Sequence, residues 1–572
     1  MMKKIDIYNV LESKNSDFIS KYPRLLIKVI IFVLNKILKV EKINNFLDKN
    51  GDKFGIDFLN SLFSELKFGY NIKMEDLKKI QMNGKVLIIA NHPLGGLDGL
   101  AIVRMVYEIR KDVKIVVNDI LMEIDNLAEF FLPFDLYSTQ PQRKNLVNIN
   151  KAFENENAVI FFPAGKVSRL TLKGIKDTKW HNGAIRFGLN NNAPILPIFI
   201  KSKNSLKFYL LSLLHNFMGT LLLPSELFNK TNAKLEFIIG DIIPNSAIKN
   251  LNIKPKALTK LLYLHLYNIA KGKKGLIQTE KRIIEPIDKK LIFKELENCE
   301  LLINFNNNYN IYLLSPQSNR IINEIARLRE HAFRSVGEGT GRDLDYDNWD
   351  EYYQHIILWD ANEMEIVGSY RLGNTRQIIE KFGINGLYTS SLFDLNIDLH
   401  SDLADSLEVG RSFIQQKYWK SNALFYLWRG IGKYLQKYPE IKYLWGAVSI
   451  SNSYSEYAKN LIIAYYSKWH KSKEIIAKPL IPYKLNHNYI IKIETFLNSD
   501  NKDDDFKIFK NTMKNLGFSI PILYKKYVDL CEIGGVKFIE WTINKSFNNA
   551  IDGLMIVDLS KLKPEYKEIF LQ

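Results

Sequence analysis

At 572 residues the chain is too long for one hydrophobic core, and 46% hydrophobic residues with only 17 Pro and 30 Gly exclude a disordered or fibrous chain. Two distant cysteines, Cys299 and Cys531, exclude a disulfide framework, and nine histidines without ligand spacing give no metal site, so a reducing compartment and no metal are expected. The net charge of +17 lies in the first half: residues 1–300 hold 46 Lys and Arg against 30 Asp and Glu, residues 301–572 hold 33 against 32. Nucleic acid, anionic lipid and an acidic carrier protein all fit such a surface, and the lack of any zinc-finger, RNA-recognition or basic-region pattern removes nucleic acid.

Met1 to Ser20 is polar and of mixed charge, so no secretory signal is expected. Leu25–Val40 follows, apolar except for Lys28, Asn35, Lys36 and Lys39. At about 100° per residue those four share one narrow helix face. Such a helix is short and charged for a membrane span but suited to lying in the interface with its lysines toward phosphates. The nearly continuous apolar run Leu206–Pro224 poses the same choice, and for both segments a core helix is the competing reading. Residues 1–60 are therefore expected to be helical and membrane-associating, with peripheral attachment at the inner face of the cytoplasmic membrane.

Residues 61–275 alternate strand-like runs (85–90, 113–117, 158–162, 193–200, 233–240) with helical segments, the pattern of an α/β sandwich. The first run ends in Asn91-His92-Pro93-Leu94-Gly95-Gly96-Leu97-Asp98-Gly99, placing an imidazole and a carboxylate at a strand exit beside a glycine turn. A carboxylate-oriented histidine is the minimal device for taking a proton from a weak hydroxyl nucleophile. The run 158–162 ends in Phe162-Pro163-Ala164-Gly165-Lys166-Val167-Ser168-Arg169, whose Lys, Ser and Arg suit an anionic or polar head group.

Together the two blocks resemble the glycerophosphate and lysophospholipid acyltransferases over roughly residues 60–245. The resemblance implies that His92 and Asp98 are catalytic and that Gly95, Gly96, Phe162, Pro163, Gly165, Lys166, Ser168 and Arg169 bind substrate. Two departures stand out: five residues rather than four separate His92 from Asp98, and Ala164 occupies the place of the family's glutamate. An acceptor other than glycerol phosphate accounts for both.

Lys254 to Ala270 reads as a helix, and the charged, then Asn-rich stretch 276–305 as a linker to a second domain at 306–572. That domain runs from a helix at Arg327–Phe333 through a glycine loop at 337–341 and an acidic segment at 342–347. The hairpin 354–360/365–372, the strand 407–414, a helix 423–438 and the strand 443–450 follow. Arg429-Gly430-Ile431-Gly432 lies inside a helical pattern, so the helix start near Lys420-Ser421 is the better anion site. Trp428 and Tyr434 read as core, and the strand-like stretches 536–543 and 553–559 as completing the sheet. The order of elements resembles the GNAT (acyl-CoA N-acyltransferase) fold, in which neighbouring parallel strands splay to admit a thioester's pantetheine arm. Arg329, Phe333, Asp345, Asp347, Arg371, Glu408 and Arg411 resemble the polar signature of the acyl-homoserine-lactone synthases, which implies a catalytic Glu408 and substrate-binding roles for the others. A glutamate on a buried strand costs free energy unless it is paired or used, and pairing with Arg411 is its structural alternative.

An α/β O-acyltransferase domain followed by a GNAT N-acyltransferase domain resembles the two-domain ornithine-lipid synthases. That resemblance implies an enzyme without resident cofactor, taking acyl groups from acyl carrier protein or acyl-CoA. The C-terminal domain is expected to acylate the amine of a small amino acid, ornithine or glycine, with a 3-hydroxyacyl group. The N-terminal domain is then expected to esterify the lyso-lipid's hydroxyl, which makes membrane lipids and acyl carrier protein its partners. Three alternatives compete: a lysophospholipid acyltransferase with an accessory GNAT domain, a non-catalytic hemolysin-like membrane protein, and a synthase releasing soluble acyl-amino acid.

Overall fold

The computed structural model describes residues 6–8, 23–118, 122, 124–134, 143–172, 174–214, 216–305, 308–395, 401–474 and 476–571; the Met1–Ser20 segment lies almost wholly outside them. The chain divides into two compact units, 1–282 and 283–572. The charge divides with them more sharply than the halves of the sequence do. The first unit holds 43 Lys and Arg against 25 Asp and Glu, the second 36 against 37.

The first unit opens with α1 (Arg24–Leu38), α2 (Val40–Asn50) and α3 (Gly55–Glu65). Strands β1 (Gly69–Asn71), β2 (Val86–Ala90), β3 (Val113–Val117), β4 (Phe131–Pro133), β5 (Ala158–Phe161), β8 (Ile195–Lys201) and β9 (Lys234–Ile239) form one sheet in the order β1-β9-β8-β2-β5-β3-β4. Only the β8–β9 pair is antiparallel. Buried on both faces, β2 reads as a continuous apolar run, as central parallel strands do. Its Val86, Ile88 and Ala90 join one core with α4 (Gly96–Ile109), while Leu87 and Ile89 join another with α5 (Arg143–Glu154), α6 (Gly183–Asn190) and α9 (Pro255–Ile269). The hairpin β6 (Arg169–Thr171) and β7 (Gly174–Lys176) stands apart from the sheet.

The apolar stretch at 25–40 divides at Lys39, whose φ of 52° ends α1. Of α1 only Ile27 is buried, whereas Leu25, Leu26, Val29, Phe32 and Val33 are exposed. The stretch 206–224 forms parts of α7 (Leu206–Leu214) and α8 (Asn216–Asn229). It buries Phe208 and Tyr209 but exposes Leu206, Leu210 and Leu213; His215 lies outside the described residues. Among the described residues no helix is long and apolar enough to cross a membrane.

The second unit begins earlier than the expected linker allows. Residues 289–305 are folded, with α10 (Lys289–Leu296) burying Ile292 and Leu296 and β10 (Glu300–Asn304) forming a sheet edge. The physical reason is the i, i+4 apolar pair, which docks on α11 (Asn319–Ser335). Strands β11 (Tyr309–Leu314), β12 (Gln354–Asp360), β13 (Glu365–Asn374), β15 (Ser406–Ile414), β16 (Tyr443–Ile450), β18 (Val536–Asn544) and β19 (Ala550–Asp558) complete the order β10-β11-β12-β13-β15-β16-β19-β18. A separate ribbon pairs β14 (Phe393–Leu395) with β17 (Ala477–Pro479). The stretch 456–530, left unread in the sequence, is mainly four helices ahead of β18.

On β12, Ile356 and Leu358 pack with α12 (Ala423–Lys437), while Ile357 and Trp359 pack with α11, so the two helices cover opposite faces. Gly430 lets α12 approach the sheet: a Cβ there meets Ile311 at 2.7 Å, so this glycine serves packing. β15 and β16 are the one parallel pair of the sheet. They stay bonded only from Ser406↔Tyr443 to Glu408↔Trp445, although both strands run on. The strands therefore splay beyond Glu408, as expected of a GNAT fold. At the fork a Cβ on Gly446 sits 2.2 Å from Val409 O. Gly446→Ala should lower the stability of the C-terminal unit by about 1–3 kcal/mol, checked by its unfolding midpoint in denaturant.

Candidate active sites

In the first unit, His92 and Phe162 leave the carboxyl ends of the adjacent parallel strands β2 and β5, where open α/β sheets place their ligands. Gly95, at φ 93° and ψ −131°, turns the chain into α4 and absorbs the extra residue between His92 and Asp98. The pair meets despite its spacing: His92 Nδ1 lies 3.1 Å from Asp98 Oδ1. Asp98 is fully buried and accepts the backbone N–H groups of Leu94 and Gly99, each at 2.8 Å, so its carboxylate is fixed. Phe162 stacks on the imidazole at 4.1 Å between centroids. Burial opposes protonation of His92, but the Asp98 carboxylate outweighs it and holds the imidazole above its ordinary range. The ring's other nitrogen, Nε2, lies on the edge away from that carboxylate.

Beside this pair lies a cavity of about 180 Å³, walled by Leu100, Ile115, Val117, Leu127, Phe131 and Phe134 and reached past His92, Gly95, Gly96, Phe162 and Gly165. Its apolar walls suit a fatty chain. Gly165 and Lys166 are exposed, whereas Pro163 is buried and accepts the His181 N–H at 2.8 Å. Arg169 keeps Nη1 buried without a hydrogen-bond partner and lies 5.4 Å over Phe208; burial pushes its guanidinium below its ordinary range.

Sequence reasoning missed Asp177. Its carboxylate accepts from Ser168 Oγ at 2.6 Å, Trp180 Nε1 at 2.9 Å and the His92 N–H at 3.1 Å. Burial raises its pKa against those bonds. A buried acid therefore ties the acceptor block to the catalytic turn although Ala164 occupies the glutamate's place, and the Ser168 hydroxyl is committed to it. Asp177 follows a surface hairpin in no recognisable pattern, so no local signal marked it. Val167 continues the block into an apolar cluster with Ile37, Phe208, Tyr209 and Leu222 of the helices that expose leucines.

In the second unit the three arginines and two aspartates of the polar signature bind one another, joined by Asp350. Arg329 meets Asp345 at 3.1 Å and Asp350 at 2.7 Å; Arg371 contacts Asp347 and, at 3.2 Å, Asp350; Arg411 meets Asp345 at 3.0 Å and Asp347 at 3.4 Å. His355 Nε2 lies 3.3 Å from Asp350, and burial keeps its pKa low. Arg329, Asp345, Asp350, His355 and Arg371 are buried and Asp347 and Arg411 nearly so, and three guanidinium groups balance three carboxylates. Burial works against ionising Asp350, yet Arg329 and Arg371 hold it well below the usual carboxylate range. Phe333 lies edge-on to Phe547 at 4.8 Å.

Glu408 does not pair with Arg411. It accepts from Tyr353 OH, the Thr389 N–H at 2.7 Å, Thr389 Oγ1 and the Tyr388 N–H at 3.2 Å. Four donors take up its lone pairs and fix the carboxylate in place. Glu408 thus fastens β15 to the 387–391 segment, and Tyr353 and Tyr388 link it to the ion network, with Arg371 5.3 Å and 5.1 Å over their rings.

The splayed strands open a cavity of about 1070 Å³, lined by β15 from Glu408 to Ile414, β16 from Ala447 to Ser449, and Trp419–Asn422 at the start of α12. The expected anion site at Lys420-Ser421 lies at its mouth and also lines a second cavity of about 290 Å³. On the α11 face the same large cavity reaches Phe333, Glu338 and Asp552.

Residues 10–250 match a protein-family model described as acyltransferase, and residues 328–429 one described as acetyltransferase (GNAT) domain. The chain is 31% identical over 264 residues to a glycine N(alpha)-acyltransferase of Bacteroides thetaiotaomicron, covering 44% of this chain and 78% of that protein. The corresponding figures for a glycine N(alpha)-acyltransferase of Phocaeicola vulgatus are 31% over 265 residues, 44% and 81%. A lyso-glycine lipid O-acyltransferase of Phocaeicola vulgatus is 29% identical over 247 residues, 42% of this chain and 86% of that protein. The chain is an enzyme that transfers acyl groups.

Two outcomes test this geometry. Asp98→Asn should lower O-acyl transfer by about 10³-fold or more. It should also move the histidine limb of the pH–rate profile to lower pH, because the carboxylate that raises the His92 pKa is gone. Arg371→Ala, leaving two carboxylates short of a partner, should destabilise the C-terminal unit by about 3–5 kcal/mol in denaturant titration.

Proposed function

We propose that this chain, which belongs to the family of acyltransferases that includes the glycine N(alpha)-acyltransferases and joins an acyltransferase domain to a GNAT domain, makes a phosphorus-free aminolipid in two acyl transfers. The C-terminal unit acylates the amine of glycine with a 3-hydroxyacyl group carried as a thioester on acyl carrier protein. The N-terminal unit then esterifies that 3-hydroxyl. The observation that carries this reading is the presence of two unlike acyl sites in one chain. One is a His92–Asp98 pair over an apolar cavity, the other a fork between parallel strands. Relatives named for each half-reaction support glycine over ornithine as acceptor.

In the ester step His92 takes the hydroxyl proton as the oxygen attacks the thioester carbonyl, and Asp98 steadies the imidazolium. The thiolate leaves and takes a proton back. Arg169 and Lys166 face the carboxylate end of the lyso-lipid, a charge role that a phosphate fills in glycerolipid relatives. The exposed leucines of α1 and α7, with Lys28, Lys36 and Lys207 among them, suit peripheral docking at an anionic inner membrane face, and the charge of the first unit suits an acidic carrier protein.

Expression in a host lacking aminolipids, followed by lipid mass spectrometry, should reveal a diacylated glycine lipid, with ornithine lipid the competing product. His92→Ala should abolish the diacyl species while N-acyl glycine accumulates; persistence of the diacyl lipid removes His92 as base. Acylation of lysophosphatidic acid in place of N-acyl glycine would overturn the reading.

A further inference from the structure

The amide step needs a base, because an amino acid arrives as an ammonium ion and only the free amine attacks a thioester. Glu408 already accepts four hydrogen bonds, which commit its oxygens to protein donors. A second acid lines the same cavity without such bonds.

Glu338 follows α11 in a loop that is pinned at several points. Its N–H bonds Phe333 O at 2.8 Å, Ser451 Oγ bonds Val336 O at 2.6 Å, and Asn548 Nδ2 bonds Gly337 O at 2.9 Å. The backbone is therefore held against the end of β16. Among the described residues none donates to the Glu338 carboxylate, although it lies in the cavity wall. Facing it from β19 is Asp552, bonded to Ser449 Oγ at 2.7 Å and Asn544 Nδ2 at 2.7 Å, a position fixed by the cross-strand pair Ser449↔Asp552. The phenols Tyr454 and Tyr524 are the other titratable groups that feel its charge. Arg411 acts on Asp552 rather than on Glu338.

The face also fits. On β19, Ile551 and Met555 belong to the α12-side core, and Ala550 and Leu554 to cores on the opposite side, so Asp552 points away from α12. The cavity passes through the fork from Lys420–Asn422 on one face to Glu338 and Asp552 on the other. A carrier-bound thioester entering at the α12 start thus meets an acceptor arriving from the α11 side.

We propose that Glu338 is the general base of N-acyl transfer, with Asp552 as the neighbouring carboxylate that keeps an ammonium ion at the fork. One proton passes from the ammonium to the Glu338 carboxylate. The nitrogen then attacks the carbonyl carbon, a C–N bond forms, the C–S bond breaks, and the nitrogen's second proton leaves with the thiolate as thiol. Glu338 returns its proton to solvent. Burial, then the Asp552 charge, raise the Glu338 carboxyl to about 8, so its basic form grows as pH rises through the range in which an amine must be relieved of a proton.

This inference rests on the amide-forming role proposed above, and the experiment separates the two. Purified full-length chain is given glycine and 3-hydroxyacyl carrier protein, and N-acyl glycine and free thiol are measured from pH 6 to 9.5. Ester formation from supplied N-acyl glycine serves as an internal control. Wild type should show kcat/KM rising through an inflection near pH 8. Glu338→Gln should lower kcat of the amide step by about 10²–10⁴-fold and remove that inflection, with ester formation retained. Asp552→Asn, which leaves the Glu338 carboxyl in place but removes its charged neighbour, should shift the inflection to lower pH. A Glu338→Gln enzyme with wild-type rate and profile overturns the assignment, as does an unmoved inflection in Asp552→Asn. A wild-type chain that makes no N-acyl amino acid overturns the amide-forming role itself.

Discussion

Three arginines and three aspartates sealed under one face of a sheet can persist only if their charges cancel and every partner stays in place. Each ion carries a desolvation cost of several kcal/mol that only its neighbours offset. In this chain Arg329 comes from α11, Asp345, Asp347 and Asp350 from the loop that follows, Arg371 from β13 and Arg411 from β15. The network therefore locks four segments distant in sequence into one rigid wall. That wall borders the fork, because Arg371 and Arg411 also stack over Tyr388, whose backbone holds Glu408.

The fork depends on this wall in a second way. Between β13 and β15 the register slips by one residue, and Arg411 sits in that bulge at φ 48°, a conformation unusual for a side-chain-bearing residue. The bulge turns Arg411 toward Asp345 instead of letting the strand alternate, and the ion pair holds it there. With β15 kinked on one side and Gly446 yielding its Cβ space on the other, the parallel pair separates after three residue pairs. Both catalytic regions thus arise where neighbouring parallel strands end or part: β2 beside β5 in the first unit, β15 beside β16 in the second.

Much of this was legible in the chain. The runs at 85–90 and 158–162 became strands because burial on both sides leaves a continuous hydrophobic signature, whereas 113–117 and 443–450 became strands with some side chains only partly buried. The His92–Asp98 pair was legible because glycine turns tolerate an inserted residue. Residues 289–305 were misread as linker because charge and Asn content described their exposed side, while two apolar residues decided their fold. The sequence named Arg329, Asp345, Asp347, Arg371 and Arg411 without showing that they pair with one another, and it gave no sign of Asp350. A sequence shows that an arginine is buried with an acid somewhere, not whether the acid belongs to the protein or to a ligand.

The same limit governs the carboxylates, whose roles here follow from how many donors each one meets. Asp98 has two backbone N–H groups and an imidazole beside it, and orients that imidazole. Asp177 has three donors and Glu408 four, and both tie segments together. A carboxylate whose oxygens are taken up by protein donors has less room to receive a substrate proton. Glu338 is the converse: its backbone is pinned while among the described residues none donates to its carboxylate, which lies near another negative charge. Glu408 stood out in the sequence because a charged residue sits on an apolar strand. The acid free to exchange protons is positioned by its neighbours' backbone, and no residue pattern along the chain announces it.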